Sequence, residues 1–370
     1  MTFSDVIMWI MAIGAIIGGI DRIIGNKFGL GEQFEEGFNA MGPLALGMVG
    51  MVCLSPVIAN VIAPAITPFF KSIGADPSIF AGLLLPNDTG GYPLAEALAI
   101  DKQAGLYSGL IVASMMGCAI VFCIPVGLSM IEKKDQPFFS QGLLIGLITV
   151  PAGSITGGMI AGFDKGMILI NSVPVIVIAI LLALGLKFIP DSMIKGCTIF
   201  GRIIMIIITI GLVSGAFEGI TGVAIIPGLA PISDGLAIIG TIGMVLLGTF
   251  PILTILTRLL NKPLTAIGTL FKLDATSAAG LIFCLANPVP VFKMFKDMNN
   301  RGKVINIAWM VCATAALGDH LGFTAGVYPT AITAVVVGKL IGGILAVVIA
   351  FFMTGNIEAT GEAATNQVEA

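Results

Sequence analysis

The sequence predicts an all-α polytopic membrane protein: about nine transmembrane helices plus two re-entrant hairpins, arranged as an inverted-topology internal repeat. Three observations lead there. Of 370 residues, 57% are hydrophobic and only 11% charged, with a mean hydropathy of +1.06, which leaves too few charges to cover a soluble surface. Apolar runs longer than the roughly 18 residues needed to cross hydrocarbon recur along the chain. Two further apolar runs are broken mid-length by proline, glycine and asparagine. A β-barrel would need alternating strands of about ten residues, which the chain lacks.

Taken in order, uninterrupted spans read at 5–24, 42–70, 104–131, 138–161, 166–189, 192–216, 236–260, 303–328 and 331–353, the last two separated at Tyr328-Pro329. Val6 to Ile20 lacks the basic flank of a cleavable leader and reads as the first span. In the first broken segment, 77–100, Asp76 suits a helix cap and Pro77 the first turn. The half-helix that follows has about ten residues, roughly 15 Å. Pro86-Asn87-Asp88-Thr89-Gly90-Gly91-Tyr92-Pro93 then stops it, and Pro93 can open a second half-helix. The other broken segment, 276–296, is an apolar half-helix stopped by Asn287, Pro288 and Pro290. Bare backbone at mid-bilayer depth is tolerated only against protein or a water-filled cavity, so both interruptions predict a polar pocket. The tail from Thr354 carries Glu358, Glu362 and Glu369 without a basic residue and reads as disordered.

Counting cations decides whether the broken segments cross. If both dip in and return, Arg22, Lys27, Lys133, Lys134, Lys187, Lys195, Arg258, Lys262, Lys272, Lys293, Lys296, Arg301 and Lys303 share one face, thirteen against Lys71, Lys102 and Lys165 on the other. If both cross, the same residues divide eight to eight. The biased arrangement is the one that cytoplasmic enrichment of Lys and Arg requires. It puts the N-terminus outside and the C-terminus in the cytoplasm.

The chain also matches itself at an offset of 198. Gly42, Gly50, Thr67, Asp76, Ala81, Gly82 and Leu83 are identical to Gly240, Gly248, Thr265, Asp274, Ala279, Gly280 and Leu281, and the broken segments fall in register. The organisation that follows is a first repeat at 1–165, a connecting span at 166–190, a second and inverted repeat at 191–353, and the tail at 354–370. Inverted repeats with discontinuous helices meeting at the midplane are a transporter architecture.

Asp88 leads the candidate residues. At a hairpin tip, a carboxylate beside the carbonyl end of a half-helix suits a small cation, whereas a capping role at the second half-helix is the plainer alternative. Asn87 and Thr89 could bond an ammonium or a hydroxyl, or could simply form the turn. Asp319-His320, deep in the 303–328 span and flanked by Gly318 and Gly322, reads either as a cation- or proton-binding pair or as a polar pair that fixes helix packing. Asn287 could coordinate through its amide oxygen or stop a helix. Glu32, Glu35 and Glu36 read most simply as a solvated face; Glu96 and Glu218 read as peripheral. Tyr107 and Trp309 suit packing better than a cation cage. The six cysteines lie in apolar segments without a CxxC pair and read as small buried hydrophobes. No phosphate loop, Ser/His/Asp order, HExxH or metal spacing occurs, which argues against an enzyme, a metal, a cofactor or a nucleic-acid partner.

These stretches resemble the ethanolamine utilisation membrane protein family, the ethanolamine permeases called EutH, over nearly the whole chain. The resemblance rests on Gly31–Phe38, MGPLALGMVGM at Met41–Met51, DTGG at Asp88–Gly91, LYSGLI at Leu106–Ile111, LAN at Leu285–Asn287, RGKVIN at Arg301–Asn306 and ALGDHLGF at Ala316–Phe323. Pro86-Asn87, Pro288 and a short 216–235 loop depart from the expected pattern. The resemblance implies a bacterial inner-membrane permease that imports ethanolamine. Its motifs carry over to Gln33, Glu35, Glu36, Asp88, Gly90, Gly91, Asn287, Asp319 and His320. Of these, Gln33, Glu35, Glu36, Gly90 and Gly91 are expected at a gate or supporting the site.

The expected activity is therefore facilitated uptake of protonated ethanolamine through an acidic midplane site, with the bilayer and a small cationic amine as partners and a homo-oligomer compatible with the sequence. Alternatives are a Na⁺- or H⁺-coupled carrier of a small amine, a cation channel, and a sensor or scaffold that binds without transport.

Overall fold

In hydrocarbon every backbone N–H and C=O must find a partner within the protein, and helices provide one for each interior residue. The computed structural model describes residues 3–355 and is helical, with no strand among them. In chain order the helices are α1 (Phe3–Ile23), α2 (Leu30–Asn39), α3 (Met41–Ser72), α4 (Ile79–Leu84), α5 (Tyr92–Leu98) and α6 (Lys102–Met130). They continue with α7 (Gln136–Ile160), α8 (Lys165–Phe188), α9 (Pro190–Thr221), α10 (Ile232–Phe271), α11 (Ala275–Ala286) and α12 (Val289–Met294). The last three are α13 (Asn300–Ala313), α14 (Asp319–Val327) and α15 (Ile332–Met353). The expected acidic tail of Glu358, Glu362 and Glu369 lies outside the described residues.

Eight described helical stretches are long and apolar enough to cross a membrane, where the sequence led us to expect about nine. The difference is 303–328, which is not continuous. It divides into α13 and α14 at Thr314–Gly318, where Ala315 takes a left-handed φ of 51°. The physical reason lies in its neighbour. The C-terminal carbonyls of α11 have no partner in their own helix. Ala315 N–H donates to Cys284 O at 2.9 Å and Leu317 N–H to Leu285 O at 2.9 Å. Gly318 lies so close to the Ala286 carbonyl that any Cβ there would overlap it. One interruption thus satisfies the other.

The first broken segment is shorter in its leading half-helix than expected. Asp76 spends its carboxylate on Ser78, Ile100 and Asp101 N–H groups, so Pro77 and Ser78 form a turn and α4 starts at Ile79. The break falls at Leu85-Pro86, and α6, π-helical over Tyr107–Gly117, packs against it with Gly117 on the Leu85 carbonyl. Hydrogen bonds recur at the offset seen in the sequence. Asp101 N–H donates to Asp76, and Asn299 N–H donates to Asp274. Asp101 then caps Ala104 N–H at 2.9 Å as Asn299 caps Gly302 N–H at 2.6 Å. Ser108 Oγ donates to Ser78 O, and Asn306, 198 residues on, donates through Nδ2 to Ser277 O, one residue beyond the exact equivalent of Ser78.

Two groups of helices face each other. α1, α2, α3 and α10 pack together, with α9 on α3; α4 to α8 and α11 to α15 form the other group. Within the α6 span 78% of the most apolar window is buried, against 28% for α1, so α6 is central and α1 peripheral. Ile16 and Ile20 of α1 and Leu181 of α8 stay exposed, which only a lipid environment makes tolerable over so large an area. Asp21 closes the α1–α2 turn by accepting from Phe28, Leu30 and Gly31 N–H, in place of the side-chain cap that Gly29 cannot supply. Arg301 and Lys303, counted above as loop cations, are buried. Lys303 pairs with Asp135 at 2.8 Å, and Arg301 stacks 4.3 Å from the Phe351 ring centre.

Substituting Gly318→Ala is expected to destabilise the protein by about 1–3 kcal/mol through overpacking on Ala286. Gly42→Ala, which meets nothing within 4 Å, should leave stability near wild type. Thermal unfolding midpoints of the two detergent-solubilised variants check this.

Candidate functional site

A cavity of about 780 Å³ opens between the two helix groups. Glu36, Asn39, Pro43 and Leu44 line it from α2 and α3, and Thr198, Arg202 and Met205 from α9. The other wall brings together all three interruptions: Pro86, Asp88 and Thr89; Asn287, Pro288 and Val289; and Thr314, Ala315, Asp319 and His320. Segments 200 residues and more apart in sequence thus meet at one space.

Asp88 is held on the tight Asn87–Gly91 turn, which Gly90 makes at φ 106°, where a Cβ would strike Met51. Thr89 Oγ1 donates to Asp88 Oδ1 at 3.1 Å. Neither the turn nor α5 carries a side-chain cap, so the plainer reading of Asp88 as a capping residue does not describe its contacts. Asp319 lies in the first turn of α14, where the positive end of the helix dipole favours an anion. The two carboxylates line the same cavity. Among the described residues neither is in an ion pair within 4 Å.

The remaining predicted residues divide. Asn287 lines the cavity, but its Oδ1 accepts from Val289 N–H at 2.8 Å, leaving the amide NH₂ toward other partners. Asn87 is fully buried, outside the lining, and neither of its side-chain polar atoms has a protein partner. Glu36 lines the cavity, whereas Glu35 is exposed and bonds Arg22 at 2.6 Å, and Gln33 is half-buried away from the lining. Gly90 and Gly91 serve close packing, Gly91 against the Leu85 carbonyl. Glu96 is exposed on α5.

Two charges escaped the sequence reading. Arg202 lines the cavity from α9, and Lys339 of α15 lies directly behind His320, with Nζ 3.0 Å from His320 Nδ1 and 2.5 Å from Ser114 O. The count of flanking cations passed over both because they lie inside apolar spans. Their presence there was itself the signal, since ionisable residues inside spans mark cavities and pathways.

Residues 3–353 match the family described as Ethanolamine utilisation protein, EutH. The chain belongs to this family. It is 50% identical to the probable ethanolamine permease EutH of Listeria monocytogenes, over 96% of each chain. It is 45% identical to the uncharacterized protein YxeR of Bacillus subtilis, over 96% of each chain. It is 44% identical to the probable ethanolamine permease EutH of Escherichia coli, over 97% of this chain and 98% of that one. No solved structure matches it. The EutH family is one of permeases rather than enzymes, and this member is a multi-pass membrane protein.

Of the six cysteines in this EutH-family chain, Cys118 is the one that lines the cavity. A small cationic thiol reagent such as 2-aminoethyl methanethiosulfonate is expected to modify Cys118 first. Mass spectrometry of labelled protein should show the Cys118→Ser variant losing most of the early modification.

Proposed function

We propose that this chain carries protonated ethanolamine across the bacterial inner membrane into the cell, with Asp88 as the main ammonium partner and Asp319 as the second anion. One observation carries the reading: two carboxylates face a common cavity inside an apolar protein, and among the described residues neither is in an ion pair within 4 Å. Ethanolamine has a primary amine which, at a lysine-like pKa of about 10, is almost wholly protonated at neutral pH. Such an ion crosses hydrocarbon poorly, and paired carboxylates replace part of its hydration shell. Thr89, His320 and the Asn287 amide are placed to orient the hydroxyl end, with Asn87 behind the tip. The relatives named as probable ethanolamine permeases support the substrate.

The broken segments act in this reading as two re-entrant hairpins that enter from opposite faces within inverted repeats at 1–165 and 191–353, joined by 166–190. Support comes from the hydrogen bonds repeated 198 residues apart, at Asp76 and Asp274 and at Asp101 and Asn299. The excess of Lys and Arg on one face supports an external N-terminus and a cytoplasmic C-terminus. Because the cavity lies between two helix groups, movement of one group against the other exposes it to each side in turn. Glu36 and Arg202, which line the cavity, act in this reading at its entrance, with Gln33 and Glu35 on the same helix as Glu36 in supporting roles.

Uptake of labelled ethanolamine at limiting concentration, in cells lacking other routes, tests the assignment. Asp88→Asn is expected to lower uptake at least tenfold and Asp319→Asn to lower it as well, since losing a carboxylate partner to a buried ammonium costs about 2 kcal/mol or more. Glu96→Gln, on the exposed face of α5, should transport normally. Undiminished uptake by correctly inserted Asp88→Asn removes that residue from the site. Uptake that saturates and shows counterflow separates a carrier from a channel, and its persistence without ion gradients separates facilitated from coupled transport.

A further inference from the structure

Lys339 is the only charged residue in the twenty-two residues of α15 and is fully buried. Its partners are a backbone carbonyl, Ser114 O, and the ring nitrogen His320 Nδ1. Among the described residues no carboxylate lies within ion-pair distance of it. The groups that face it across the packed helices are Asp88, His320 and the thiols of Cys118, Cys123, Cys284 and Cys312. A buried charge of this kind is expensive and persists where it serves a function. Packing alone would be met by leucine or methionine. When the ammonium donates to Nδ1, the imidazole is neutral with its proton on Nε2, so His320 forms an uncharged partition between Lys339 and the cavity.

Charge bookkeeping at the site then has a definite outcome. Taken in their ionised forms, Asp88 and Asp319 contribute two negative charges, and Lys339 returns one positive. Glu36 and Arg202, which also line the cavity, carry opposite charges and cancel in this count. In those forms the site carries one net negative charge. We propose that Lys339 is a specificity-determining residue, whose buried ammonium cancels one cavity carboxylate so that the site accepts a single monovalent ammonium and rejects a dication. This rests on the transport reading above. In a low-dielectric site a second positive charge has no counterpart and is disfavoured by repulsion from Lys339, a case of selectivity through an unfavourable contact. The ligand class that fits is a short primary ammonium whose other end is neutral, such as a hydroxyl.

The probe is 1,2-diaminoethane, which has the length of ethanolamine with the hydroxyl replaced by a second amine. Its competition against labelled ethanolamine is measured in proteoliposomes, in mildly acidic buffer where both amines are charged. For the wild type the diamine should compete far less well than unlabelled ethanolamine. Lys339→Gln should raise the diamine's potency relative to ethanolamine by about tenfold or more. The double variant Asp319→Asn/Lys339→Gln restores one net negative charge. It should recover ethanolamine uptake relative to Asp319→Asn alone and return the wild-type preference. An unchanged ratio in Lys339→Gln, or no recovery in the double variant, overturns the proposal. If Lys339→Gln is not obtained folded, the double variant decides. Its loss while Asp319→Asn folds makes Lys339 a packing residue and equally overturns the assignment. A wild type that does not take up ethanolamine at all sinks the transport reading itself, an outcome distinct from a wild type that transports but ignores Lys339.

Discussion

Unpaired backbone groups inside hydrocarbon are the constraint on which this structure turns. Each helix end strands carbonyls or N–H groups that water would satisfy at a surface. The chain places three interruptions in its interior and tolerates them because they are set against each other and against small residues. Ala315 and Leu317 complete the end of α11, Gly318 lets the strands of backbone approach, and Gly117 does the same service for the Leu85 carbonyl. The polar residues at these ends come together as a consequence. The cavity is where the interruptions meet, and the same geometry that satisfies the backbone delivers Asp88, Asn287 and Asp319 to one space.

Electrostatics follow from that arrangement. Asp319 sits at the positive dipole end of α14, and Asp88 stands on the turn before α5, facing the same cavity. Lys339 supplies a positive charge from behind His320 without occupying the cavity. Two half-buried acids thus share one cavity wall with Thr89, Asn287 and Thr314 and with proline, phenylalanine, valine and leucine side chains. Glu36 and Arg202 add charges of opposite sign to the lining.

The helical membrane class, most span positions, the two broken segments and the acid at the first tip, Asp88, were legible because each depends on local composition. Hydropathy over a window is a sum of single-residue transfer terms, and Pro86, Pro288 and Gly90 act on the backbone where they stand. The capping pattern around Asp76 and Asp274 was legible for the same reason. The division of 303–328 was not. Thr314–Gly318 holds no proline, and its residues read as ordinary helix; the break is stabilised by α11, which is distant in the alternation of spans. The excess attached to Lys339 and Arg202 was hidden by a counting rule that looks only at loops.

What the residue order determined is therefore the class of molecule, its family and the list of acids worth attention, since apolar length, helix breakers and motifs are properties of consecutive residues. What the tertiary structure decided is which of those acids share a cavity, that the oxygen of Asn287 is taken by Val289 N–H, that Glu35 turns to Arg22 while Glu36 faces inward, and that Lys339 stands behind His320. These depend on contacts between residues tens to hundreds of positions apart, and no local energy term contains them.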